Sequence, residues 1–273
     1  MLQLLTHPVT GRTVKLGRRR DPDWKPRLKL ADYLDFSTLP TAPAVISYTG
    51  DASTTKFLEN VLANDTLGDC TCAGALHIMG EWLGDNNVPI PYTAETAIAL
   101  YEAACGYNPK DPSTDQGGSE PAVLAFLRDK GLPPNGSHKI AGSVFVNAAS
   151  MSVSRAGLWL MGGLYLGLGL PDEWINPFPS KNGYVWDVTP TGSNPENGHC
   201  IVALGYNALG LVIDSWGLIG TLTWAAYAAY CTQQGGGESH VMLSTDWISK
   251  ASQKAPNGLN YASLQADLPE LAA

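Results

Sequence analysis

A chain of 273 residues with 44% hydrophobic content can bury one large core or two modest ones, since domains commonly run about 100–200 residues. Seventeen basic against 25 acidic residues give a formal charge of −8, which opposes nonspecific attraction to nucleic acid or to an anionic membrane surface. Cys70, Cys72, Cys105, Cys200 and Cys231 are an odd number, so they cannot all pair within the chain and no disulfide framework is implied; a reducing, cytoplasmic setting is expected.

The opening residues MLQLL carry neither a charged n-region nor an apolar h-region, so no secretory leader is predicted. Residues 1–38 are polar, contain Pro8, Pro22 and Pro26 and lack sustained periodicity; they read as an arm laid over the body, with Arg18-Arg19-Arg20 as a solvated basic cluster. A helix is predicted from about Cys70, with Asp69 at the N-cap and Gly84-Asp85-Asn86-Asn87 as its stop. Thr93 precedes a second helix, AETAIALYEAA, ended by Gly106 and Pro109. Pro121 opens a third, Glu120 to Lys130, before Gly131. Ala156 to Leu170 is apolar but glycine-interrupted and shorter than the roughly 18–20 residues of a membrane span, and predicts a strand pair or a helix-turn-strand passage. From about residue 142 short apolar runs follow, among them SVFVN, GYVWDV, HCIVALGYN and GLVIDSWG, which read as strands. Helices first and strands afterwards predict an α+β fold with a ligand cleft between two subdomains. The boundaries expected are 39–141 for a helical subdomain, 142–249 for a β-rich one and 250–273 for a surface tail.

Three pieces carry chemistry. Gly68-Asp69-Cys70 stands at a predicted helix start, where free N–H groups and the helix dipole favour a thiolate. Asn197-Gly198-His199 brings a histidine to the mouth of an apolar strand. Asp214-Ser215-Trp216-Gly217 ends the next strand, and a hairpin through Asn207-Ala208-Leu209-Gly210 is expected to bring Asp214 to His199. A nucleophile, a base and a group that orients the base are the parts of a catalytic triad. Cys70-x-Cys72 lacks zinc-site spacing and a second ligand pair, so neither metal nor cofactor is expected.

The order cysteine, histidine, then Asp214 before Ser-Trp-Gly resembles the papain and cathepsin family, as does the Cys70–His199 separation, close to the roughly 130–150 residues typical there. The resemblance implies a papain-like fold, helical in its first half and strand-rich and barrel-like in its second, with the active site in the cleft. It implies a thiol protease acting on peptide or protein through a thioester. Asn64, six positions before Cys70, stands where the family places a glutamine, and the resemblance implies that its amide completes an oxyanion hole. Gly117 and Gly118 resemble the bare backbone that pairs with an extended substrate, and Trp216 the indole that shields the histidine. The chain departs from the family in Gly-Asp-Cys-Thr-Cys-Ala around the nucleophile, which leaves Cys72 as an alternative, and in Asp214 for the family's asparagine, which is expected to raise the His199 pKa. No family-type helical prosegment is recognisable before Leu39, though the arm is free to cover the cleft. Two other readings stay open: a peptidoglycan amidase or endopeptidase, and a noncatalytic papain-fold binding or assembly module, for instance in a virion or other larger complex.

Overall fold

The computed structural model describes residues 4–6, 11, 13–21, 23–49, 52–244 and 261–267. The chain opens with a short hairpin of β1 (Leu4–Thr6) and β2 (Thr13–Lys15). An extended stretch and the two-residue strand β3 (Ile46–Ser47) lead to four helices, α1 (Ala52–Leu58), α2 (Cys70–Asp85), α3 (Ala94–Cys105) and α4 (Glu120–Asp129).

Helix α2 is mostly apolar and buried on nearly every side, as a central helix must be, with His77 and Glu81 within that buried surface. Gly74 lets it close on the sheet, because a Cβ there would meet Cys200, Tyr165 and Val202 at 3.2–3.4 Å. At the start of α3, Thr96 Oγ1 accepts from the Thr93 N–H at 3.2 Å. Gly106, at φ 78°, ends that helix in the left-handed conformation that glycine tolerates.

The second half alternates β4 (Ile140–Phe145), α5 (Met151–Met161), β5 (Leu164–Gly169), α6 (Asp172–Ile175), β6 (Tyr184–Trp186), β7 (Gly198–Tyr206), β8 (Gly210–Ser215), β9 (Leu218–Thr223), α7 (Trp224–Tyr230) and β10 (Glu238–Ser244). Ala156–Leu170 is thus the helix-turn-strand passage, with Gly162 turning the chain at φ 83°. The strands run β4-β10-β5-β7-β8-β9-β6, with β3 on β7. All pairs are antiparallel except β6 with β9. Among the described residues β4 and β6 do not pair with each other, so the sheet is open rather than a closed barrel.

Alternation along the buried strand β7 divides the core. Ile201 and Ala203 join one cluster with Leu166, Ile213 and Trp216. Cys200, Val202 and Leu204 join the other, with Cys70, Leu76 and Ile78 of α2. The sheet therefore carries the helical half on one face, and the start of α2 meets the start of β7.

The arm is no loose appendage. Leu16, Leu28 and Leu30 are core residues, and Arg18, expected in solvent, is 7% exposed. The surface tail expected over 250–273 lies outside the described residues except for the helix α8 (Tyr261–Asp267), whose Asp267 accepts from Tyr33 OH at 2.9 Å.

Candidate active site

Cys70 is the first residue of α2 and is 2% exposed. It lines a cavity of about 20 Å³ together with Asn64, His77, His199, Asp214 and Trp216, room for about one water. Cys72 lies a half-turn on, among Ala75, Leu76 and Leu100 in the core of the helical half, away from that cavity's lining. The residues expected to form the site are thus gathered in one place, but their contacts differ in part from expectation.

His199 is 1% exposed, and its Nε2 lies 3.1 Å from Ser215 Oγ. Its ring stacks on Trp216 with centroids 3.8 Å apart and planes 16° apart. Trp216 adopts φ 52°, a left-handed conformation rare for an aromatic residue, and Gly217 continues the turn at φ 75°. That turn lays the indole flat over the imidazole, as expected for a shield. Among the described residues Nδ1 of His199 has no hydrogen-bond partner.

Asp214 does not reach His199. Its carboxylate lies 2.9 Å from Nδ1 of His77, at ion-pair distance but without hydrogen-bond alignment, and His77 Nε2 meets the Asn60 carbonyl at 2.9 Å. The reason is register. Tyr206 pairs with Leu211, but the register shifts by one between Ala203 and Gly205, so that Val202 faces Asp214. A one-residue shift moves every later side chain to the other face. Asp214 therefore shares the α2 face with Val202, and Ser215 comes round to the His199 side.

The expected charge state is corrected as well. Burial pushes the Cys70 thiol well up, against the pull of the backbone N–H groups of Cys200 and Gly17. Burial takes His199 down to about 3. A helix N-terminus is worth up to about 2 kcal/mol to an anion, whereas full burial shifts a pKa by up to about 3–5 units, so burial wins. As the structure stands the pair is thiol and neutral imidazole. Asp69, at the cap position, makes no capping bond, and burial pushes its carboxyl up too.

The arm packs over this region. Lys15 N–H donates to the Asn64 carbonyl at 2.9 Å, Arg18 N–H to Gly198 at 3.0 Å and Arg19 N–H to Gly118 at 2.7 Å; Gly118 N–H donates back to Gly17 at 2.9 Å. The Asn64 amide donates to the Lys15 carbonyl at 3.1 Å and to Leu67 at 2.9 Å. Leu62 and Ala63, at φ 53° and 76°, are the strained turn that presents Asn64. A Cβ on Gly117 would stand 2.0 Å from the Gly17 carbonyl oxygen, and one on Gly198 2.2 Å from that of Arg18. Bare backbone on both banks is what admits an extended chain between them.

Sequence reasoning missed the residues that brace these loops. Asp115 accepts from Gly68 N–H at 3.0 Å and from Tyr101 OH at 2.7 Å, and pairs with Lys15 Nζ. Tyr101 in turn accepts from Gly117 N–H at 2.7 Å. Arg18 was missed too: its guanidinium reaches Glu120 and Glu238, and Glu238 also meets His240 Nε2 at 2.8 Å. Only their positions beside Gly117 and Gly118 in sequence hinted at Asp115 and Glu120; Ser215 was noticed only as part of the Ser-Trp-Gly run, and nothing marked Glu238. Among the described residues no cluster of histidine, cysteine and carboxylate side chains suits a metal, and no helix is long and apolar enough to cross a membrane.

No protein-family model matches the chain, and no curated protein matches it in sequence. Solved structures do. Xylellain, a cysteine protease from Xylella fastidiosa, superposes with a TM-score of 0.65 at 13% identity over 90% of this chain and 99% of that one. Procathepsin B S9 from Trypanosoma congolense gives 0.56 at 9% identity over 84% and 87% of the two chains. Digestive procathepsin L 3 from the larval midgut of Tenebrio molitor gives 0.55 at 12% over 80% and 76%. The chain therefore has the α+β fold of the papain-like cysteine proteases, in a sequence far diverged from theirs.

Proposed function

We propose that the chain is a cysteine peptidase, with Cys70 as nucleophile and His199 as its base, held closed in this conformation by its own arm. The observation that carries the reading is an extended peptide, residues 15–19, hydrogen-bonded across Asn64, Gly118 and Gly198 beside the candidate nucleophile. A cleft that accepts peptide backbone in this way suits a peptide bond better than a glycan strand.

In the open state the Cys70 thiol passes its proton to Nδ1 of His199 and Sγ adds to the carbonyl carbon. The amide of Asn64, now free of the Lys15 carbonyl, donates to the oxyanion. Collapse of the adduct breaks the C–N bond, His199 returns the proton to the leaving amine, and a thioester on Cys70 remains. Water, deprotonated by His199, releases the acid and restores the thiol. Ser215 and the Trp216 indole hold the imidazole from its other side. His77 is a poor substitute base: seven residues along α2 from Cys70, it sits about 10 Å further along the axis. With Asp214 it is read as a support beneath the site.

Peptide turnover by the full chain, carrying Gly17→Ala to loosen the arm, tests the reading on a mixed peptide library. Cleavage abolished by Cys70→Ala is expected. No cleavage, or cleavage indifferent to Cys70, would sink it and favour the noncatalytic binding module. That second reading draws on one observation, the His199 Nδ1 that engages no partner among the described residues.

A further inference from the structure

The arm crosses the cleft mainly by backbone, but one of its side chains goes deep. Arg18 Nε donates to both Glu120 oxygens at 3.0 Å, Nη2 to Glu238 Oε1 at 2.9 Å and Nη1 to the Gly236 carbonyl at 3.0 Å. The side chains of Arg18, Glu120 and Glu238 are 3%, 0% and 5% exposed. The receptors belong to the body of the protein: Glu120 opens α4 and Glu238 opens β10. Gly167 of β5 makes the room, since a Cβ there would stand 2.3 Å from Arg18 Nε and 2.4 Å from Glu120 Oε1. An open cavity of about 360 Å³, lined by Arg18, Gly198, Tyr230 and Gly236, adjoins the guanidinium and connects it to solvent.

From this we infer that the hollow formed by Glu120, Gly167, Gly236 and Glu238 is a specificity pocket for an arginine side chain of the substrate, which Arg18 fills while the arm is in place. The inference rests on reading the cleft as a peptide site, and it adds the class of peptide taken. When the arm leaves, Glu120 loses its cation and Glu238 keeps only His240, and a buried carboxylate without a partner is strongly disfavoured. An incoming side chain must therefore replace the charge. Three guanidinium nitrogens are used at once, toward two carboxylates and a carbonyl, a planar fork that the single ammonium of lysine does not reproduce. An apolar side chain leaves Glu120 bare and Glu238 with His240 alone, and is rejected. The arm and an arginine-bearing substrate are thus rivals for one pocket.

The test uses the full chain with Arg18→Ala, which empties the pocket, and a fluorescent peptide copying residues 13–20. Anisotropy compares that peptide with one carrying leucine at the position of Arg18. The arginine peptide is expected to bind about 10- to 100-fold more tightly, the range for hydrogen bonds to charged groups, and Glu238→Gln added to Arg18→Ala is expected to remove most of the difference. Equal affinity, or binding of neither, overturns the inference. If Arg18→Ala does not fold, Arg18→Lys serves, since it keeps a cation in the cleft while giving up the fork, and the same ratio is read. Turnover separates the two claims: cleavage of library peptides without preference for arginine removes the pocket and leaves the peptidase. Selective arginine binding with no cleavage does the reverse.

Discussion

Replacing Gly17 with alanine puts a methyl group 2.0 Å from the Gly68 carbonyl oxygen and 2.3 Å from its carbon. Both are backbone atoms of the turn that ends at Cys70, so no rotamer change relieves the clash. Overpacking of this kind costs about 1–3 kcal/mol, and the cost falls on the contact between arm and body. At about 2 kcal/mol the population with the arm displaced rises roughly 30-fold. Cys70 is 2% exposed under the arm, so its alkylation reports that population. Iodoacetamide at about pH 8, where ordinary thiols begin to ionise, is to be quenched at intervals and mapped by mass spectrometry. The expected result is a 10- to 100-fold faster modification of Cys70 (about 1.4 kcal/mol per decade), with Cys72 and Cys231 unchanged. Equal Cys70 rates in two well-folded proteins would refute the claim that the arm is what buries the nucleophile.

Acid should loosen the closed form. His199 titrates at about 3 here against an ordinary 6.5, so the closed state binds fewer protons than the open or unfolded one. Its contribution is complete above pH 6.5 and is lost as pH falls toward 3, amounting to about 2 kcal/mol by pH 5; urea midpoints measured from pH 7 to 4 should fall less steeply in His199→Gln. Asp214→Ala is expected to cost about 1–3 kcal/mol of stability by removing the partner that faces the buried His77 Nδ1, read in denaturant melts, whereas Ser215→Ala should alter the pH profile of turnover, because Ser215 Oγ is the hydrogen-bond partner of His199 Nε2. Asn64→Ala, assayed in the Gly17→Ala background, should lower kcat about 100- to 1000-fold with little change in KM if its amide serves the oxyanion.

Much of this was legible in the sequence because it is local. The stop at Gly84-Asp85 and the cap at Thr93 fix α2 and α3, and the apolar runs around Asn207-Ala208-Leu209 fix the β7–β8 hairpin. Cys70 and His199 could be singled out because each sits at a helix start or beside a turn, and Asn64, Gly117, Gly118 and Trp216 because they resemble positions of the papain family's pattern. The neighbour of His199 could not: an unshifted hairpin would set Asp214 on the His199 face, and only the one-residue shift after Ala203 turns it toward His77. The burial of Arg18 was also hidden. Three consecutive arginines read as solvated, and the pocket that takes the first is assembled from Glu120, Gly167 and Glu238, some 102 and 220 positions away for the two carboxylates. The charge state of the pair depends on the same long-range covering, which no motif reports.

The central claim is that Cys70 becomes a nucleophile through His199 once the arm is displaced. It is met most directly by alkylating the Gly17→Ala chain at about pH 5.5, where an ordinary thiol of pKa about 8.5 is almost wholly protonated, with Gly17→Ala/His199→Ala beside it. Fast modification of Cys70 that disappears without His199 is expected. Slow modification of an accessible Cys70, or a rate unchanged by loss of the histidine, would contradict it.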